Sequence, residues 1–435
     1  MSLIYRVAPG GALTGRIRVP GDKSISHRSI MLGAIAQGTT HVTGFLEGED
    51  TLATINVFRA LGVSIDGPMH GKVAIHGVGM HGLQAPRDIL DCGNSGTSMR
   101  LLCGLLVGQS FDCELTGDDS LRRRPMRRVA DPLTQMGAVI ATAAEGRPPL
   151  KIHGVSDKLH GIDYRMLIAS AQVKSALLLA GLYADGCTCV TEPAPTRDHT
   201  ERMLAAFGCP IERIDHTVCV NGGSKLTATG IEVPADISSA AFFMVGASVA
   251  PGSDITLEHV GINPTRTGVI DILRRMGADL TLLNERTVGG EPVADIRVRY
   301  AELRGIGIPQ ELVPLAIDEF PVLFIAAANA RGETILSGAE ELRVKESDRI
   351  QVVADGLRAI GVNADPTPDG MRIRGGAYQG GVVNSDGDHR IAMAFAMAAL
   401  RASEMMVIND CANVATSFPG FVTLAHSTGL GIQES

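Results

Sequence analysis

Leu61-Gly62-Val63, Met136-Gly137-Ala138, Phe207-Gly208-Cys209, Met276-Gly277-Ala278 and Ile360-Gly361-Val362 are copies of one turn, about 70 to 85 residues apart. An apolar helical segment runs into each glycine and an alternating segment leaves it, the pattern of a helix C-cap feeding a strand. Thr428-Gly429-Leu430 is a weaker sixth copy. A second element recurs between the turns, an apolar helix rich in small residues followed by a turn and a strand. It covers Ser26 to Ala36, Thr97 to Val107, Ala171 to Tyr183, Ser238 to Val249, Phe320 to Ala330 and Ile391 to Arg401. Helices apolar on every side belong inside a protein, here packed parallel to one another under sheets. The chain therefore reads as an α/β protein of six strand-and-helix units. Three units fall on each side of Ile231-Glu232-Val233-Pro234-Ala235, and a matching crossover at Val19-Pro20 assigns the first strand to the second half. The expected domains are a discontinuous one of residues 1–20 plus 235–435 and an inserted one of residues 21–234.

The polar residues gather where these helices begin. Pro20-Gly21-Asp22-Lys23-Ser24-Ile25-Ser26-His27-Arg28 ends a short strand and opens the first helix, with Ser24 or Ser26 available as its cap. Lys23 and Arg28 thus stand near exposed N–H groups and the positive end of a helix dipole, which suits phosphate or carboxylate. The second helix opens with Gly93-Asn94-Ser95-Gly96-Thr97-Ser98-Met99-Arg100, the third with Ser170-Ala171-Gln172-Val173-Lys174, the fifth with Asp318-Glu319 and the sixth with Gly387-Asp388-His389-Arg390. Equivalent ends of repeated helices are where a two-domain protein can direct its dipoles at one interdomain cleft. Further charge lies in Leu121 to Arg128, which holds Arg122, Arg123, Arg124, Arg127 and Arg128, and in Arg343-Val344-Lys345-Glu346-Ser347-Asp348-Arg349. Most such charge is solvated helix face.

Composition narrows the class. The 435 residues are 45% hydrophobic and 20% charged, with 51 glycines and no tryptophan, which suits a globular chain with many tight turns. A net charge of −8 without a long basic run argues against a nucleic-acid or acidic-membrane binder. The eight cysteines form no CxxC pair and no compact Cys/His cluster, so buried reduced thiols in a cytoplasmic protein are expected, with neither disulfides nor a metal. No signal-peptide pattern opens the chain, and the apolar runs Ser175 to Leu182 and Ile391 to Leu400 are too short to span a bilayer. A Walker A frame and a G-x-S-x-G elbow are both missing.

Gly21-Asp22-Lys23-Ser24, Asn94-Ser95-Gly96-Thr97, Arg124-Pro125, Ser170-Ala171-Gln172, Asp318-Glu319, Lys345-Glu346-Ser347-Asp348-Arg349 and Asp388-His389-Arg390, in this order over about the whole chain, resemble the 3-phosphoshikimate 1-carboxyvinyltransferases, or EPSP synthases, of the enolpyruvyl transferase family. The resemblance implies two domains, each of three βαβαββ units arranged like an inverse α/β barrel, that close over the substrates. It implies transfer of the enolpyruvyl group of phosphoenolpyruvate to the 5-hydroxyl of shikimate 3-phosphate, with release of phosphate from a tetrahedral ketal, as part of aromatic amino acid biosynthesis. No cofactor is implied, the partners are the two anionic small molecules, and a monomer is expected.

The same resemblance distributes roles. Lys23, Ser24, Arg28, Ser170, Gln172, Arg197, Asp318 and Lys345 are expected on shikimate 3-phosphate, and Lys23, Gly96, Arg124, Gln172, Arg349 and Arg390 on phosphoenolpyruvate. Asp318 is expected to accept or orient the hydroxyl proton, Glu346 to exchange the proton at C3, and Lys23 to stabilise the departing phosphate. Simple structural duties are weighed beside these: an N-cap for Asp318, and an ion pair with Lys345 or Arg349 for Glu346. Glyphosate, the family inhibitor, is expected to compete with phosphoenolpyruvate. Many relatives carry a lysine before the final Phe-Pro, whereas this chain has Ala415-Thr416-Ser417-Phe418-Pro419. Two rivals remain: a UDP-N-acetylglucosamine 1-carboxyvinyltransferase, whose relatives usually hold a cysteine where this chain has Asp119, and a ring-like DNA clamp, also built from six α/β units.

Overall fold

The structure, a computed structural model, describes residues 3–155 and 159–435. Its contacts divide the chain into two compact units, Met1–Pro20 with Pro234–Ser435, and Gly21–Val233. Each unit has its own hydrophobic core.

The Gly21–Val233 unit is built on helices Lys23–Ile35, Gly96–Leu106 and Ala171–Gly181, and the other unit on Ile237–Val249, Phe320–Ala328 and His389–Ala398. Burial follows composition: all the side chains of Ile237–Val249 and of Phe320–Ala328 are buried. Within each unit these helices pack on one another. Gly104 makes the closest approach possible, because a Cβ there would stand 2.1 Å from the Ala176 carbonyl oxygen of the neighbouring helix. Any side chain at 104 would force the two helices apart.

Three sheets cover each set of helices, five of the six having four strands and one three. A second helix in every repeat packs beside them and ends at the recurrent turn. Gly62, Gly137, Gly208, Gly277, Gly361 and Gly429 all adopt positive φ, between 85° and 113°. A left-handed residue at that point reverses the chain into the next strand, and glycine takes it without a Cβ clash.

The four-stranded sheets combine one parallel pair with antiparallel neighbours. Strand Leu90–Asp91 leads into helix Gly96–Leu106 and then pairs in parallel with Cys113–Thr116, a βαβ crossover. Two crossovers exchange their first strand. Gln37–Thr43, which follows the first helix, takes Gly230–Glu232 as its parallel partner, whereas Asp254–Gly261 takes Thr14–Ile17. This exchange is why the chain leaves one unit at Pro20 and returns at Pro234.

One expectation fails on this sheet framework. Cys189 and Cys219 face each other on adjacent antiparallel strands and are joined as a disulfide, with the exposed Cys187 beside them. Spacing along the chain could not show the pairing, since the two are 30 residues apart and meet only through strand register. The free Cys92, Cys103, Cys113, Cys209 and Cys411 are buried, as expected.

Candidate active site

In the Gly21–Val233 unit the first helix is capped by Asp22, whose carboxylate accepts the Ile25 N–H at 2.9 Å. Ser24 and Ser26, the expected caps, lie already inside the helix, and Ser26 Oγ accepts the Leu46 N–H instead. Lys23 is thereby the first helical residue. Its Nζ lies 2.9 Å from Oδ2 of Asp50, a buried carboxylate in the first turn of helix Glu49–Ala60. Arg28 is buried one turn further on, donating to the Ser24 carbonyl at 2.9 Å, Ser175 Oγ at 2.9 Å and Thr200 Oγ1 at 2.6 Å.

The second entrance is capped by Ser95, whose Oγ accepts the Ser98 N–H at 3.0 Å. Gly96 follows. A Cβ placed on it would stand 3.0 Å from Nη1 of both Arg100 and Arg124, so two guanidinium groups meet over a position that has no side chain. Arg124 also reaches Asn94 Oδ1 at 3.2 Å, and Arg100 donates to Gln172 Oε1 at 2.7 Å. Gln172 Nε2 donates in turn to Thr97 Oγ1 at 2.9 Å, tying the second entrance to the third. Of the five clustered arginines Arg124 alone is buried, while Arg122, Arg123 and Arg127 are exposed, as expected for a solvated face. Arg100 had no role in the sequence reading. The available signal was its place four residues after Gly96, which puts it on the same helix face.

At the third entrance Ser170 caps helix Ala171–Gly181. Lys174, fully buried, pairs with Glu192 at 3.0 Å and Glu201 at 2.7 Å. Glu192 also accepts the backbone N–H and the hydroxyl of Thr196, the residue before the half-buried Arg197. The lysine thus links the helix bearing Ser170 and Gln172 to the segment bearing Arg197.

His27 joins three elements of this unit. One ring nitrogen meets Thr54 Oγ1 at 2.8 Å and the other Ser95 Oγ at 3.3 Å. Burial, helped by the Lys23 and Arg28 cations, pushes its pKa down to about 3 from 6.5. The native chain therefore binds fewer protons here than the unfolded chain, so stability is lost as pH falls below about 6.5 and on towards about 3. In His27→Gln that contribution to the acid limb should vanish. Thermal midpoints of the two proteins, compared from about pH 7.5 down to about pH 5, should converge as pH falls; a constant gap would mean that the ring does not titrate in this window.

In the other unit the site residues form one network of charges. Arg349, 1% exposed, donates its Nε to Asp388 Oδ2 at 2.7 Å, meets Glu346 Oε2 at 2.5 Å and reaches Asp318 Oδ1 at 3.4 Å. Burial alone would lower its pKa, but Asp388, Glu346 and Asp318 outweigh burial and hold the guanidinium charged. Lys345 Nζ lies 3.4 Å from the same Asp318 oxygen. Asp318 is not the expected cap: helix Phe320–Ala328 has Glu319 at its N-cap and no side-chain bond there. The ion pair weighed for Glu346 is present, with Arg349. Arg390 donates to the Asp318 carbonyl at 3.0 Å and lies 3.9 Å from the buried Glu319. Glu319 is also bonded to Ser238 and stands 3.7 Å from Arg266. Asp388, which caps the sixth helix while gripping Arg349, was present in the quoted motif without a role.

Glycine-lined helix entrances, guanidinium groups gathered at them, and carboxylates holding lysines suit binding of phosphates and carboxylates with proton transfer nearby. The fold is that of the enolpyruvyl transferases: the structure aligns with NikO of Streptomyces tendae at a TM-score of 0.80 over 100% of this chain and 99% of that one, although only 16% of residues are identical. A solved EPSP synthase of Acinetobacter baumannii aligns over 100% of both chains, with a TM-score of 0.90 and 58% identity. The 3-phosphoshikimate 1-carboxyvinyltransferase of Alkalilimnicola ehrlichii is 69% identical over 429 residues, 98% of this chain and 96% of that protein. The profile of EPSP synthase, 3-phosphoshikimate 1-carboxyvinyltransferase, matches residues 7–424, and the chain belongs to this family.

Proposed function

We propose that the helix-entrance residues of both units carry the family's reaction, transfer of the enolpyruvyl group of phosphoenolpyruvate to the 5-hydroxyl of shikimate 3-phosphate. The observation that carries this reading is the meeting of Arg100 and Arg124 at the unfilled Cβ position of Gly96. An anion that enters there replaces no side chain, is met by two guanidinium groups, and can approach the N–H groups of the helix start. Arg124, Arg349, Arg390 and Gln172 hold phosphoenolpyruvate. Ser24, Arg28, Ser170, Gln172, Arg197, Asp318 and Lys345 hold shikimate 3-phosphate, and Lys23 contacts both molecules at the reacting atoms. Asp318 takes the hydroxyl proton as that oxygen bonds to C2, Glu346 delivers a proton to C3 and takes one back from C3 as the C2–O bond to phosphate breaks, and Lys23 stabilises the departing phosphate. The chain works as a monomer in the cytoplasm, with no nucleic-acid or membrane partner; none of the helices among the described residues is long and apolar enough to cross a bilayer.

The sugar-nucleotide rival draws no support from Asp119. That residue is exposed and pairs with Arg122 at 2.6 Å, with no thiol in its place. Phosphate release from phosphoenolpyruvate should require shikimate 3-phosphate, and UDP-N-acetylglucosamine should not replace it. Release with the nucleotide sugar alone would overturn the reading.

Gly96→Ala tests the anion position directly. The new methyl would have to displace two guanidinium ends. The expected result is a KM for phosphoenolpyruvate raised by roughly tenfold to a hundredfold, with kcat and the KM for shikimate 3-phosphate changed far less. Equal increases in both KM values would move the position of phosphoenolpyruvate away from Gly96.

A further inference from the structure

Cys187, Cys189 and Cys219, three of the seven cysteines of the Gly21–Val233 unit, lie together and take no part in the chemistry above. Strand Cys187–Thr191 sends Thr188 and Val190 into the core and leaves Cys187 and Cys189 on its other face. Cys189 lies opposite Cys219 in the antiparallel neighbour Thr217–Asn221. Strand alternation and register thus bring three sulfurs within 4.8 Å of one another. Cys187 Sγ stands 3.7 Å from Cys189 Sγ, and Cys187 is exposed.

We propose that the reduced chain binds one thiophilic d¹⁰ cation of the Zn²⁺ class through Cys187, Cys189 and Cys219. Zinc holds thiolates at about 2.3 Å in a tetrahedron, so two of its sulfurs stand about 3.8 Å apart. The pair not joined by a bond already has this spacing, at 3.7 Å. Cleaving the Cys189–Cys219 bond lets that pair relax to the same separation by small side-chain rotations. Three thiolates select a soft or borderline ion over Mg²⁺ or Ca²⁺, which require oxygen ligands. Asp163 and Glu212 occupy flanking positions of the same cross-strand row, beside Cys189 and Cys219 respectively, and add negative charge around a cation. Among the described residues no histidine or carboxylate joins the sulfurs within that 4.8 Å, so water takes the fourth position, on the side of the exposed Cys187.

A phosphine delivers two electrons to the disulfide and becomes its oxide with an oxygen from water, leaving two thiols. Zn²⁺ then displaces one proton from each of three thiols to the buffer. Cys189 and Cys219 serve either the disulfide or the ion, so a peroxide that takes two electrons from them and is reduced to water or alcohol re-forms the S–S bond and releases the metal.

Full-length protein, reduced with a phosphine, loaded with Zn²⁺ and desalted over a weak chelator, should retain about one zinc per chain. Protein left oxidised, and reduced Cys187→Ser or Cys219→Ser, should each retain at least about tenfold less. On the unaltered sequence, Zn²⁺ should slow alkylation of Cys187 by at least about tenfold, read by peptide mass, because a bound thiolate is withheld from the reagent. This second readout does not depend on a variant folding. Zinc retention by either serine variant equal to that of the unaltered reduced chain, or alkylation of Cys187 at a rate indifferent to Zn²⁺, would overturn the site.

Discussion

Lys23→Met is expected to lower kcat by about a hundredfold to a thousandfold, the scale of losing one group that stabilises developing charge. The structure adds a second effect. Asp50 is 5% exposed and Lys23 Nζ is its ion-pair partner at 2.9 Å, so methionine leaves a buried carboxylate without that partner. The loss should destabilise the Gly21–Val233 unit by about 1–3 kcal/mol. The two effects separate in the double variant Lys23→Met with Asp50→Asn, which removes the stranded charge. Chemical denaturation should return most of the way to the original midpoint, while turnover stays lost. Turnover that recovers along with stability would make Lys23 a structural residue only.

Arg349→Met should have the largest effect on folding. One guanidinium contacts Asp388, Glu346 and Asp318, and methionine leaves Asp388, fully buried at the sixth helix entrance, without its main counter-ion. Breaking a buried pair by removing one partner costs about 3–5 kcal/mol, a large part of the roughly 5–15 kcal/mol by which a folded protein is stable. Activity should vanish as well. Arg349→Lys is the informative control. It keeps the charge but cannot reproduce the fork, Nε to Oδ2 at 2.7 Å and Nη2 to Oδ1 at 3.4 Å, so it should restore part of the stability and little of the activity. A methionine variant with an unchanged denaturation midpoint would show that the three carboxylates are held by other groups.

The parts of this molecule legible in its sequence are those with a local physical cause. The recurrent glycines are readable because each must adopt a left-handed conformation at a helix end. The six apolar helices are readable because burial on all sides removes any polar face. Their entrances stand out because Ser95, Ser170 and Asp388 cap them in the sequence positions where caps belong. Asp22, by contrast, took the capping duty from Ser24 and Ser26 because the helix begins earlier than its apolar residues suggest. The partnerships stayed hidden. Nothing in the order of residues couples Lys23 to Asp50, Arg100 to Gln172, Arg349 to Asp388 or Cys189 to Cys219, because each pair is brought together by packing or strand register over a long interval.

The exchange of first strands between the two units also has a consequence for biosynthesis. Tyr5–Val7 is made about 400 residues before its partners Met406–Asn409 and Ile432–Glu434. Thr14–Ile17 waits for Asp254–Gly261. Residues 21–233 carry all their own sheet partners and can complete their core while the rest of the chain is still being made. Until those partners are made, the two early strands are unpaired edges, able to recruit a foreign strand, and their capture should be the slow, aggregation-exposed step of folding.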